Sequence, residues 1–90
     1  MKWKVELSSA AEGELDKIDR QAARRILAFL HDRVAQLDDP RSIGGALKGS
    51  KLGAFWKYRV GDYRIIASIE DNALLILVMR VGNRKEVYKR

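Results

Sequence analysis

Five side chains in the second half of the chain have the types and spacing to act together on a phosphate group. They are Lys57, Arg59, Arg64, Arg84 and Tyr88. Residues two apart in a strand share a face, so Lys57 and Arg59 would point the same way. A hairpin turn at Gly61 would bring Arg64 back beside them. Guanidinium groups keep their charge and bind phosphate oxygens through paired hydrogen bonds. The pattern predicts a basic cleft with one phenol and no pair of carboxylates.

Such a cleft can support cleavage of RNA, whose phosphodiester can be attacked by its own 2′-hydroxyl. That reaction needs a base, cations for the charge that develops on phosphorus and a donor for the leaving oxygen, but no metal or cofactor. Preorganised charge is commonly the largest catalytic contribution. Lys57 is expected to be able to serve as the base. The competing interpretation is a basic module that binds a polyanion and cuts nothing.

Composition narrows the class of protein. Ninety residues predict a single domain spanning 1–90. The absence of cysteine excludes disulfides and thiolate metal sites, and a single histidine, His31, excludes a multi-histidine site. The sequence has no apolar run long enough for a signal peptide or a membrane span. We therefore expect a cytoplasmic protein that does not bind membranes.

Charge is unevenly distributed along the chain. The net charge is +6, and residues 1–40 carry seven Lys and Arg against eight Asp and Glu. Residues 41–90 carry eleven against four. The whole positive surplus therefore lies in the second half, which indicates a nucleic acid or acidic protein as partner.

The pattern of apolar residues predicts an α+β fold. An N-terminal strand precedes an antiparallel helical hairpin and a curved, mostly antiparallel sheet of three to four strands. The predicted strands are 2–7, 54–60, 63–69 and 73–81, and the predicted helices are 10–18 and 20–37. Ser8 and Ser9 are equally good caps for the first helix. By alternation, Trp56 and Tyr63 should pack on the helical side, and Trp3 is expected to be a packing residue.

Three segments resemble a known family. They are Leu47-Lys48-Gly49, Gly61-Asp62-Tyr63-Arg64-Ile65-Ile66 and the ending Val81-Gly82-Asn83-Arg84-Lys85-Glu86-Val87-Tyr88. Together with the order of elements, they make the whole chain similar to the RelE/ParE superfamily of toxins from bacterial type II toxin–antitoxin systems. The ending is closer to the RelE branch, so the resemblance implies a RelE-like fold.

The resemblance also implies an activity, namely metal-independent cleavage of messenger RNA in the ribosomal A site, which inhibits translation. It implies that Arg64 stabilises the phosphate in the transition state, that Arg84 assists the leaving group, and that Tyr88 orients and stacks the substrate. Lys57 matches one of two family lysines used for proton abstraction and charge stabilisation. The other falls at Phe55, so the identity of the base stays open, with Lys51 as a substitute from the loop.

Further basic positions are assigned to RNA binding. Arg59 matches a family position that contacts the RNA backbone, and Lys51, Lys85 and Lys89 would add attraction that does not depend on base sequence. The implied partners are a cognate antitoxin, messenger RNA and the ribosome, with operator DNA reached only through the antitoxin complex. Two alternatives stay open: a ParE-like inhibitor of DNA gyrase without nuclease activity, and a degenerate toxin that only binds RNA or its antitoxin.

Overall fold

The computed structural model describes residues 2–47 and 55–83, and its central element is a five-stranded sheet. The strands are β1 (Lys4–Leu7), β2 (Gly45–Ala46), β3 (Trp56–Val60), β4 (Tyr63–Glu70) and β5 (Leu75–Asn83). Their order across the sheet is β1-β5-β4-β3-β2. β1 is parallel to β5 and the other three pairings are antiparallel. The predicted α+β class, N-terminal strand and mostly antiparallel sheet are confirmed.

Two short helices follow β1, as predicted for the helical hairpin. They are α1 (Ser9–Lys17) and α2 (Arg20–Ala28). Ser8 proves to be the cap of α1, since its Oγ accepts a hydrogen bond from the Ala11 amide at 3.1 Å. The Asp19 carboxylate caps α2 in the same way, accepting from the Ala22 amide at 3.2 Å. Each cap satisfies a backbone donor that the helix itself leaves unpaired.

The second helix is shorter than the predicted 20–37. After Ala28 the chain forms a π-helical turn, Phe29–Arg33, and then a 3-10 turn, Val34–Gln36. Ile26, Leu30 and Val34 succeed one another at intervals of four residues and are all fully buried. An α-helix has 3.6 residues per turn, so such residues would drift around its axis. The wider π turn offsets that drift and keeps the three side chains facing the sheet.

The core lies between these helical elements and one face of the sheet. Its buried members on the sheet include Tyr58, Ile65, Ile76, Val78 and Val81. Trp3 is buried in this core, and the partly buried Trp56 and Tyr63 pack against it, as predicted from alternation. Because strand residues alternate between faces, Lys57, Arg59 and Arg64 belong to the opposite face. No helix in the described part of the chain is long and apolar enough to cross a membrane.

Candidate functional site

The β3–β4 hairpin positions three of the predicted cations. Gly61 begins the turn with φ of +58°, a left-handed conformation that glycine adopts without strain. In the resulting register Arg59 is directly opposite Arg64, and Lys57 is opposite Ile66. Directly opposed side chains in an antiparallel pair have Cβ atoms roughly 5 Å apart. Two guanidinium-bearing residues are therefore held side by side, which is unfavourable unless an anion separates the charges.

The Arg64 guanidinium hydrogen-bonds to main-chain oxygens. Its Nη1 atom donates to the carbonyl of Gly61 at 3.3 Å and to that of Tyr63 at 3.2 Å. Arg64 forms no salt bridge with Asp62 or Glu70, and Glu70 instead accepts a hydrogen bond from the Ser68 hydroxyl. Within residues 2–47 and 55–83, Lys57, Arg59 and Arg64 form no ion pair. No carboxylate of the described residues neutralises their positive charge.

These cations line a cavity of about 290 Å³. Its lining residues are Gly44, Gly45, Lys57, Tyr58, Arg59 and Arg64. Such a volume is at the small end of ligand cavities. Gly44 and Gly45 lie between the predicted second helix and the predicted strand 54–60, and neither is among the predicted site residues. Their adjacency was the one signal that a backbone approaches closely here.

Gly44 brings β2 against β3 and so forms one wall of this cavity. Gly45 pairs with Lys57 across the two strands. Gly44 has φ of +81°, and a Cβ built on it would lie 2.4 Å from the Lys57 carbonyl oxygen and 2.8 Å from Trp56 Nε1. Only glycine, which has no Cβ atom, fits this close to β3, so this wall of the cavity requires glycine at position 44.

Two aromatic side chains of β3 hold the segment that leads into β2. Trp56 Nε1 donates to the Ile43 carbonyl at 2.7 Å, and the Tyr58 hydroxyl donates to the Pro40 carbonyl at 2.6 Å. Tyr58 is 1 % exposed, and burial raises the pKa of its hydroxyl. A buried neutral phenol is a stable donor, so this segment is tied to the strand that carries Lys57 and Arg59.

A second cavity, of about 550 Å³, lies between α1 and the end of β5. Glu14 of α1 lines it and accepts hydrogen bonds from Arg80 Nε at 2.8 Å and from the Val81 amide at 2.7 Å. This carboxylate therefore fixes the end of β5, where Gly82 is opposite Arg64. No local pattern predicts this contact, since it joins positions 66 residues apart. Among the described residues, no three His, Asp or Glu side chains cluster as metal ligands would.

The remaining predicted site residues lie outside the described residues. They are Lys51, Arg84, Lys85, Tyr88 and Lys89. The last described residue, Asn83, pairs with Tyr63 beside the β3–β4 turn. Phe55, where the family pattern has a lysine, is half-buried and packs against Leu47 and Ile66.

Comparison with known proteins gives concordant results. Residues 5–88 match the family model described as the ParE toxin of the type II toxin–antitoxin system parDE. Toxin RelG of Mycobacterium tuberculosis is 24% identical over 90 residues, which cover all of both chains. The fold is also similar to three solved structures that contain RelE proteins.

The first is the RelBE2 toxin–antitoxin complex of Mycobacterium tuberculosis, with a TM-score of 0.83 and 21% identity, covering 96% of this chain and 95% of that one. The second is the archaeal RelE–RelB complex of Pyrococcus horikoshii, with a TM-score of 0.72 and 25% identity, covering 96% of this chain and 99% of that one. The third is the isolated E. coli RelE toxin, with a TM-score of 0.69 and 19% identity, covering 96% of this chain and 90% of that one. The family model carries the ParE name, whereas the full-length relative and these structures carry the Rel name. The chain belongs to the RelE/ParE superfamily of type II toxin–antitoxin toxins.

Proposed function

We propose that this toxin is an endoribonuclease that inhibits translation in the cytoplasm by cutting messenger RNA in the ribosomal A site. One observation carries the proposal. Lys57, Arg59 and Arg64 line a single cavity, and no described carboxylate neutralises any of them. A site that only packed or only solubilised the protein would gain nothing from keeping two arginines opposed.

The proposed reaction uses the RNA as its own nucleophile. The 2′-oxygen forms a bond to phosphorus while the bond from phosphorus to the 5′-oxygen breaks. The products are a 2′,3′-cyclic phosphate and a 5′-hydroxyl. One proton leaves the 2′-hydroxyl and one is delivered to the 5′-oxygen, so no co-reactant is consumed. The extra negative charge on phosphorus in the transition state is what the cations stabilise.

Each predicted residue has a part in this scheme. Arg64 would bind the phosphoryl oxygens, Arg59 the adjacent backbone, and Lys57 would take the 2′-hydroxyl proton or stabilise charge. Arg84 would assist the leaving oxygen and Tyr88 would stack on a base. Lys51, Lys85 and Lys89 would add attraction to RNA that is independent of sequence. Phe55 occupies the position of the family's second lysine, which leaves Lys57 and Lys51 as the candidates for the base.

A cognate antitoxin is part of the proposal. Two of the similar solved structures are toxin–antitoxin complexes. We infer a small antitoxin that binds this chain, and contact with operator DNA only through that antitoxin. The second candidate function is inhibition of DNA gyrase without nuclease activity, which the ParE description of the family model favours.

A translation extract tests the proposal with Arg64→Ala, Arg84→Ala and the control Lys4→Ala. Lys4 is exposed on β1, an edge strand that β5 and β4 separate from β3. We expect the wild type and the control to break messenger RNA at A-site codons. Each arginine variant should cleave about 10²–10³-fold more slowly, the usual loss when one preorganised donor is removed. Melting temperatures of the variants should match that of the control.

Two results would reject this assignment. Full cleavage by both arginine variants would remove the residues from the mechanism. Intact messenger RNA together with blocked DNA supercoiling would identify the gyrase inhibitor instead.

A further inference from the structure

Helix α2 carries a second group of cations outside the cavity. Arg20, Arg24 and Arg25 are all exposed, and together they are called here the α2 basic surface. None of the three forms a hydrogen bond through its side chain or an ion pair with another described residue. Helix α2 itself contains no acidic residue, and the preceding Asp19 uses its carboxylate to cap the Ala22 amide. Asp19 is the one carboxylate next to this surface in the sequence, and it forms no ion pair with the three arginines.

The α2 basic surface approaches the β3–β4 turn, which joins the two strands of the cavity. A Cβ built on Gly61 would lie 3.6 Å from Arg25 Nη2 and 4.0 Å from Nη1. Arg25 thus reaches the turn from the helical side, while Arg59 and Arg64 flank the same turn on the opposite face of the sheet. Arginines therefore lie on both sides of this turn, which also carries the exposed carboxylate of Asp62.

We propose that the α2 basic surface binds the phosphate backbone of RNA beyond the linkage held in the cavity. The inference rests on the proposed RNA substrate. Unpaired, exposed guanidinium groups lose no existing partner when they bind a phosphate, and they match its oxygens with two parallel hydrogen bonds. Arg25 lies beside the turn that joins the two strands of the cavity, so a strand extending past the bound linkage could reach it. The contact would not depend on base sequence.

The composition of the surface favours RNA over an acidic protein. Protein partners are usually anchored by buried aromatic or large apolar side chains at the centre of the interface. The outer face of α2 exposes Gln21 and Ala28 besides the arginines, and the one large apolar side chain that is exposed among the described residues is Leu74. Leu74 follows β4 and is not part of this helix. Charge without an apolar anchor is typical of a surface that binds a polyanion.

The test compares two double variants with equal net charge. Arg24→Gln/Arg25→Gln removes two cations of the α2 basic surface, and Lys2→Gln/Lys4→Gln removes two near β1. Glutamine has nearly the helix propensity of arginine, so α2 should persist, and circular dichroism checks this. Binding is measured by fluorescence anisotropy on a single-stranded RNA with 2′-O-methyl groups throughout, which cannot be cleaved, over a range of salt concentrations.

We expect the slope of log affinity against log salt to become shallower by about 1.4 in the α2 variant, since each phosphate contact with a single strand contributes about 0.7. The same relation predicts about 25-fold weaker binding at 0.1 M salt. The Lys2/Lys4 variant should change the slope by less than half as much. Equal changes in both variants would overturn the proposal, because net charge alone would then explain the binding.

The measurement separates this inference from the proposed nuclease activity. The RNA probe cannot be cut, so a shallower slope supports the α2 basic surface even if the translation extract shows no cleavage. An unchanged slope overturns it even if cleavage is found. An unchanged slope together with weaker binding to the antitoxin would assign the surface to an acidic protein instead.

Discussion

Gly44→Ala tests whether the wall of the basic cavity depends on one missing side chain. At φ of +81°, an alanine would be strained by about 1–2 kcal/mol. Its Cβ would also lie 2.4 Å from the Lys57 carbonyl oxygen, a main-chain atom that moves only if β2 and β3 separate. Overpacking of this kind typically costs about 1–3 kcal/mol. We expect the free energy of unfolding to fall by about 3 kcal/mol, or the melting temperature by about 12–24 °C at 4–8 °C per kcal/mol.

Gly45→Ala is the matched control, because it adds the same methyl group one residue away. The atom nearest to its Cβ would be Lys57 Cε at 3.8 Å, which is an ordinary contact at the end of a flexible side chain. We expect this variant to stay within about 0.5 kcal/mol of the wild type, as most substitutions without strain do. Urea denaturation of both variants measures the difference. Equal losses in the two variants, or none in either, would refute the argument that Gly44 is required by close approach.

Two further predictions concern the contacts that support the site. Because burial raises the pKa of Tyr58, the unfolded chain releases this proton near pH 10 while the folded chain keeps it. The free energy of unfolding should therefore fall as pH rises above about 10, by up to about 1.4 kcal/mol per pH unit, and Tyr58→Phe should lack this contribution in chemical denaturation across that range. Glu14→Ala leaves the Val81 amide without its acceptor and should cost about 1–3 kcal/mol in urea denaturation, whereas Glu14→Gln retains an acceptor and should cost less. Asp16→Ala, at an exposed position of the same helix, should change stability little, and a loss as large as that of Glu14→Ala would contradict the assignment.

The part of the site that could be predicted is the part encoded locally. Alternation along β3 places Lys57 and Arg59 on one face, and the Gly61 turn fixes Arg64 opposite Arg59. Both follow from a period of two and a short turn, which are properties of neighbouring residues. The length of the second helix could not be predicted, because the π turn that follows Ala28 is determined by packing against the sheet.

Sequence alone determined the class of elements, the asymmetry of charge and the grouping of three cations on one hairpin, because each depends on residues a few positions apart. The tertiary structure decided what surrounds that hairpin. It placed Gly44 against the backbone of Lys57, Arg25 beside the Gly61 turn, and Glu14 on the end of β5. These contacts join residues far apart in the chain, and no local pattern specifies which distant surface a residue will meet when the core forms.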